Sequence, residues 1–148
     1  MEKFDYDYMR EFILKHDDAK IYLGVDSQVG KKKLVKFATV LVVHYNGNKG
    51  AKIFADVFTE KVVDAKLNRP FNRLAREIVL VTELYEKLDD VLFDRDFEIH
   101  VDVNTSPLEG SNVVHSFAKG MVMGVIGVEP IFKPDSFAAS CCADKFTK

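Results

Sequence analysis

The run LVKFATVLVVHY at residues 34–45 is the feature that most limits how this chain can fold. It is dense in β-branched and aromatic side chains, which favour strands. Its apolar character is nearly continuous instead of alternating, and this is typical of a strand that is buried on both faces of a sheet. The chain therefore has to supply neighbouring strands for this segment and further elements that cover both of its faces.

Strand patterns lie on both sides of this run along the chain. IYLGVD at 21–26 has alternating apolar residues and reaches the central run through the turn VGKKK at 29–33. AKIFADVFTEK at 51–61 follows NGNKG, a strong hairpin signal. Strands joined by tight turns pair antiparallel, so we predict a three-stranded meander. The lysines at 31–33 are interpreted as a solvated turn, and a local nucleic-acid patch is the alternative.

Helical and strand patterns alternate through the rest of the chain. We predict an amphipathic helix over 3–15 within an N-terminal segment 1–18, helices over 69–88 and 112–127, strands within 97–104 and 129–135, and a closing helix from Ser136. Strands that return through a helix lie parallel to their neighbours. With the five predicted strands numbered in chain order, this predicts an α/β fold with a five-stranded mixed sheet in the order 3-2-1-4-5. We expect one domain over 1–148.

Composition narrows the class of protein. The 148 residues are 47% hydrophobic and 30% charged, which is typical of a globular chain that can bury a core. The longest apolar run, GMVMGVIGV at 120–128, is too short to cross a bilayer, and the acidic, aromatic N-terminus is unlike a secretory signal. We therefore expect a cytosolic protein with no membrane partner. The net charge of −2 predicts that any nucleic-acid binding depends on local patches or on metal ions.

Two carboxylates come at the ends of strands that this topology makes neighbours. Asp26 closes IYLGVD, and Asp102 lies near the end of FEIHVDVN. The carboxyl ends of parallel strands share one edge of the sheet, where α/β proteins bind ligands. Two carboxylates there would repel each other unless a cation lay between them, and Mg²⁺ is a suitable occupant because it prefers oxygen ligands and water. The alternative is that Asp26 only opens a turn.

Glu77 is a candidate third carboxylate. It flanks the apolar stripe of the long predicted helix, from which its side chain could reach the aspartate pair. The alternative is that Glu77 belongs to a solvated charge pattern with Arg73, Arg76 and Glu83. Periodicity does not choose between the two.

The closing helix offers two candidates for a fourth carboxylate. Asp144 follows Phe137 by seven residues and Ser140 by four, which places it on the side expected to approach the sheet. Asp135 immediately precedes Ser136 and could simply cap the helix. Spacing favours Asp144, and both remain open.

Two further patterns carry structural predictions. His100 is either a support for the candidate site or, more commonly for such a residue, a buried and hydrogen-bonded histidine. Gly120, Gly124 and Gly127 suggest a helix that is pressed closely on the sheet.

Three stretches of the chain together resemble a known family. IYLGVDSQ, IHVDVN and KPDSFAASCCAD, in this order and spacing, resemble the YkuK-type family of bacterial and phage proteins, which is classed as ribonuclease H-like. The resemblance covers about residues 21–144. Ribonuclease H-like enzymes carry two aspartates on strands, a glutamate on the first helix and an aspartate on the last helix. In this sequence that pattern falls on Asp26, Glu77, Asp102 and Asp144.

The resemblance implies an activity as well as a fold. It implies phosphodiester hydrolysis with two Mg²⁺ or Mn²⁺ ions about 4 Å apart, held by the four carboxylates, with Asp26 placed to bridge the ions. Ser27 and Gln28 could hold the phosphate or a water molecule, and Asn104 could assist at the opposite lip. The substrate would be RNA, an RNA–DNA hybrid or structured DNA. The alternative is a non-catalytic module that keeps the fold and binds nucleic acid or protein.

Overall fold

The computed structural model describes residues 2–32, 34–45, 50–61, 70–101, 111–132, 138 and 147. The elements in chain order are β1 (Glu2–Lys3), α1 (Tyr6–Lys15), β2 (Lys20–Val29), β3 (Leu34–His44), β4 (Ala51–Lys61), α2 (Pro70–Leu92), β5 (Phe97–Val101) and α3 (Ser111–Val125). The fold is α/β, with a five-stranded mixed sheet flanked by helices, as predicted. None of the helices in these described ranges is both long and apolar enough to span a membrane.

The strand β3 is the centre of the sheet. The order across the sheet is β1-β4-β3-β2-β5, and β3 pairs antiparallel with both β2 and β4. Its interior residues are almost all buried, as its apolar run predicts. The strand β5 pairs parallel with β2, from Ile21 beside Phe97 to Val25 beside Val101. The meander and the parallel pair formed by the first and fourth predicted strands are therefore both confirmed.

One edge of the sheet contains a short strand that the sequence pattern did not predict. Glu2 and Lys3 pair in parallel with Phe54 and Ala55 of β4. The first helix accordingly begins at Tyr6 and not at residue 3. It is capped by Asp5, whose carboxylate accepts a hydrogen bond from the Tyr8 amide at 3.2 Å.

The opposite edge differs from the prediction in extent and agrees with it in position. Within the described residues, the fifth predicted strand is a single parallel bridge between Ile131 and His100. The Ile131 amide donates to Ile99 at 2.7 Å, and the Val101 amide donates to Ile131 at 3.0 Å. Ile131 thus lies beside β5, on the side away from β2, where the order 3-2-1-4-5 places it.

The two faces of the sheet bury different clusters. The three helices of the described ranges cover one face, where the larger cluster includes Leu23 and Val25 of β2. The other face holds a smaller cluster that includes Ala38, Val40 and Ala138. Because side chains alternate along a strand, Ser27 shares the helix-covered face with Val25. Asp26 faces the side on which Ala138 lies.

The close packing expected at the glycines of α3 is absent from the part of the chain that the structure describes. A Cβ added at Gly120, Gly124 or Gly127 would meet nothing within 4 Å. The prediction from that spacing is wrong, because Gly120 and Gly124 lie on the exposed side of α3 and Gly127 is exposed just after this helix ends. The close approach occurs at Gly24, where a Cβ would lie 2.5 Å from the carbonyl carbon of Ala138. Only glycine lets the backbone at Ala138 come this near to β2.

Candidate functional site

Asp26 lies inside β2 and does not open a turn. The strand continues to Val29, and Asp26 pairs in register with Ala38 of β3. Its side chain is 2% exposed, and its Oδ2 accepts a hydrogen bond from the Thr147 hydroxyl at 3.0 Å. The turn interpretation of Asp26 is therefore wrong, and β2 holds a buried carboxylate near its carboxyl end.

Glu77 is buried against the same strand. Its side chain is on α2 and is 1% exposed, and its Oε2 accepts a hydrogen bond from the Ser27 hydroxyl at 2.5 Å. The alternative of a solvated charge pattern is wrong for this residue. Its sequence neighbours behave differently: Arg76 pairs with Glu60 at 2.7 Å, and Glu83 is exposed.

Arg73 joins this network from one helical turn before Glu77. Its Nη1 donates to the backbone oxygen of Ser27 at 3.1 Å and to the Ser27 hydroxyl at 3.2 Å. Its Nε is buried without a hydrogen-bond partner among the described residues. Arg73 is thus a site residue that the sequence analysis named only in the alternative of a solvated charge pattern. The spacing of four residues from Glu77 was the available signal, because such residues share one side of a helix.

Adjacent residues of β2 therefore serve the two faces of the sheet. Asp26 contacts Thr147 on one side, and Ser27 contacts Glu77 on the other. Asp26 and Ser27 thus place a carboxylate and a hydroxyl on opposite faces near the carboxyl end of β2, and Glu77 of α2 lies against the Ser27 hydroxyl. Such hard oxygen donors are the kind that Mg²⁺ and Mn²⁺ prefer, so the donor chemistry fits these ions.

The remaining predicted site residues fall largely outside the described ranges. They are Asp102, Asn104, Asp135 and Asp144. Asp102 directly follows Val101, the last residue of β5, which is in register with Val25. Gln28 is half-buried and pairs in register with Lys36. Considering the described residues alone, no three acidic, histidine or cysteine side chains form a group that could hold a metal ion.

Of the two alternatives for His100, the structure supports the buried, hydrogen-bonded histidine. It is 1% exposed, and its Nδ1 accepts a hydrogen bond from the Ala138 amide at 3.1 Å. The ring proton therefore lies on Nε2, which donates to Glu98 at 2.9 Å. Burial lowers the pKa of His100, and this outweighs the opposing effect of the Glu98 carboxylate. A neutral imidazole is the form that can accept from Ala138.

The C-terminal part of the chain is fixed to the candidate site at two points. Ala138 lies against Gly24 of β2 and donates a backbone hydrogen bond to His100 of β5. Gly24 and His100 are themselves paired in register. Thr147 is bonded to Asp26. The sequence analysis did not identify Thr147, because a threonine near the end of a chain carries no pattern of its own.

Comparison with known proteins agrees with this architecture. A family model described as ribonuclease H-like matches residues 6–148, which is nearly the whole chain. No curated protein and no solved structure gives a significant match. The family match covers every helix of the described fold and both strands that carry the site. The chain belongs to the ribonuclease H-like family.

Proposed function

We propose that this protein is a cytosolic, metal-dependent nuclease that hydrolyses phosphodiester bonds in RNA, RNA–DNA hybrids or structured DNA. The observation that carries the proposal is the burial of two carboxylates, Asp26 and Glu77, at 2% and 1% exposure near the carboxyl end of β2. Burying a charged group is costly unless it is compensated, so two carboxylates buried close to this end of β2 favour a cation site.

In this proposal four carboxylates form the site. They are Asp26, Glu77, Asp102 and Asp144, the set implied by the resemblance to the YkuK-type branch of the family. The parallel pairing that ends with Val25 and Val101 supports Asp102, because each of these residues immediately precedes one of the aspartates. The contacts at Ala138 and Thr147 support Asp144 over Asp135, since only Asp144 lies between these fixed points in the sequence.

The chemistry follows from the donor set. Bound Mg²⁺ or Mn²⁺ ions would activate the attacking water and stabilise the leaving oxygen. Asp26 and Glu77 would contribute ligands from opposite faces of β2. Ser27 orients the Glu77 carboxylate, and Arg73 holds Ser27 in turn. Gln28 and Asn104 are assigned to the phosphate or to a water molecule beside it.

A non-catalytic binding module is the second candidate, and a specific observation favours it. Both described carboxylates accept hydrogen bonds from protein hydroxyls, Asp26 from Thr147 and Glu77 from Ser27. Hydrogen bonds of this kind stabilise buried carboxylates. In this alternative the acidic residues hold the C-terminal segment and α2 against the sheet, and nucleic acid or protein binds elsewhere on the molecule.

A cleavage assay distinguishes the two candidates. Labelled RNA, RNA–DNA hybrid and branched DNA are incubated with the protein in Mg²⁺, in Mn²⁺ and in EDTA. We expect cleavage of at least one substrate that requires the metal and falls at least a hundredfold in Asp26→Asn and in Glu77→Gln. Asp94→Asn is the matched control, because Asp94 is exposed after α2, near the amino end of β5. The nuclease proposal fails if no substrate is cut, or if Asp26→Asn and Glu77→Gln cut as fast as the control Asp94→Asn.

A further inference from the structure

A small cleft lies between α3 and the segment that follows it. It has a volume of about 170 Å³ and is lined by His115, Lys119, Glu129, Pro130 and Phe132. The His115 and Phe132 rings stack, with centroids 4.1 Å apart and planes 29° from parallel. The cleft therefore combines two planar rings, a cation and a carboxylate in a space large enough for one planar heterocycle.

The position of the cleft relates it to the carboxylates. Phe132 follows Ile131, which lies beside β5 in parallel register with His100. Phe132 packs against the larger core cluster, so the cleft opens on the helix-covered side of the sheet. Neighbouring strands are about 4.8 Å apart, and Ile131 lies two strand positions from β2. Ile131 is therefore about 10 Å across the sheet from β2, and Phe132 follows it at the level of Val25 and Val101.

The charged groups of the cleft are free to exchange partners. Lys119 pairs with Glu129 at 3.1 Å, but their side chains are 48% and 64% exposed. An exposed ion pair contributes little free energy, so a ligand can replace either partner at small cost. Lys119 can then bind a phosphate oxygen. Glu129 can accept a hydrogen bond from the N–H edge of a base that lies on the aromatic rings.

We infer that this cleft binds one unpaired nucleobase of the strand that the protein cleaves. The inference rests on the proposed nuclease function and narrows its substrate class. A base can lie against His115 and Phe132 only after it has left its own stack, so the preferred substrate has single-stranded or unpaired nucleotides beside the scissile bond. The net charge of −2 is consistent with recognition at one local subsite and not along a broad basic surface.

The test measures binding in EDTA, where cleavage cannot contribute. Fluorescence anisotropy is recorded with a labelled single-stranded RNA, a single-stranded DNA and a blunt duplex of the same sequence. We expect the single strands to bind at least tenfold more tightly than the duplex. Phe132→Leu, which keeps an apolar side chain against the core, and Lys119→Gln should each weaken single-strand binding about tenfold.

Two control variants remove the same side-chain types at the other end of the sheet. They are Phe93→Leu, at a residue that is 71% exposed after α2, and Lys15→Gln, in the last turn of α1. Both should bind like the wild type. The inference is overturned if no oligonucleotide binds, if the duplex binds as tightly as the single strands, or if the cleft variants match their controls. Because binding is measured without metal, its failure is separate from a failure of metal-dependent cleavage.

Discussion

Ser27 and Glu77 are joined by a buried hydrogen bond of 2.5 Å although they are 50 positions apart in the sequence. The bond connects the carboxyl end of β2 to α2 and fixes the direction of the Glu77 carboxylate. Arg73 donates to the backbone oxygen and to the hydroxyl of Ser27, so this hydroxyl contacts both Glu77 and Arg73 of α2. The stability of this region should therefore depend on a single hydroxyl.

We predict that Ser27→Ala lowers the free energy of unfolding by about 1–3 kcal/mol, because it removes a partner from a buried carboxylate and from Arg73. Urea denaturation measures the change. Ser116→Ala is the matched control, since Ser116 is exposed on α3 and its loss should change stability by less than about 0.5 kcal/mol. Equal effects of the two substitutions would show that the Ser27 hydroxyl does not hold Glu77.

A second prediction concerns the close approach of Ala138 to β2. Gly24→Ala places a Cβ 2.5–2.9 Å from three atoms of Ala138, and two of these are backbone atoms. We expect a loss of about 1–3 kcal/mol in stability because the backbone has to move. Gly120→Ala, on an open side of α3, should instead stabilise the helix by up to about 1 kcal/mol. Opposite signs in thermal denaturation support the account, and a neutral Gly24→Ala contradicts it.

The hydrogen bond from Thr147 to Asp26 predicts a difference between two conservative substitutions. Thr147→Val keeps the shape of the side chain but removes the donor, so we expect a loss of about 1–3 kcal/mol. Thr147→Ser keeps the hydroxyl and should lose less than half as much. Chemical denaturation without metal measures both. The assignment is wrong if the valine variant is as stable as the serine variant.

His100 predicts a pH dependence of stability. Burial lowers its pKa in the folded protein below the ordinary value of 6.5. The unfolded chain therefore takes up a proton first as the pH falls. The stability contribution is fully present above pH 6.5 and is lost as the pH falls from there through the folded-state pKa. Urea denaturation between pH 8 and pH 5 should reveal this loss.

His100→Asn provides the control. The asparagine side-chain oxygen can accept a hydrogen bond from the Ala138 amide, and the asparagine side chain does not titrate in this range. The slope of stability against pH between pH 7 and pH 5 should be smaller in this variant. An unchanged slope would assign the pH dependence to other groups.

The sequence pattern was sufficient for the central part of the fold. The continuous apolar run of β3 and the turns on either side of it determine the meander, and the helix after β4 makes β5 parallel to β2. The two-residue strand β1 could not be found this way, because Glu2 and Lys3 are too few to show a period. Their strand conformation depends on pairing with Phe54 and Ala55, which are distant in the sequence.

The site was predictable only in part for a related reason. The strand topology singles out Asp26 as a candidate ligand near the end of a strand. Glu77 lies at the border of the apolar stripe of its helix, where periodicity allows both burial and exposure. In the folded chain Glu77 accepts a hydrogen bond from Ser27, which is 50 positions away, and no local pattern reveals this partner. The packing at Gly24, Gly120 and Gly124 could not be predicted either, because it depends on which atoms lie opposite each glycine in the folded chain.

The central claim is that Asp26 and Glu77 form part of a divalent-cation site, and Mn²⁺-dependent thermal stability tests it most directly. A site with Mn²⁺ at 100 times its dissociation constant gains about 2.7 kcal/mol of stability. We predict a gain of this order for the wild type and for the control Asp94→Asn, and a gain near zero for Asp26→Asn and Glu77→Gln, each compared with its own metal-free state. The claim is contradicted if Mn²⁺ fails to stabilise the wild type, or if it stabilises Asp26→Asn equally.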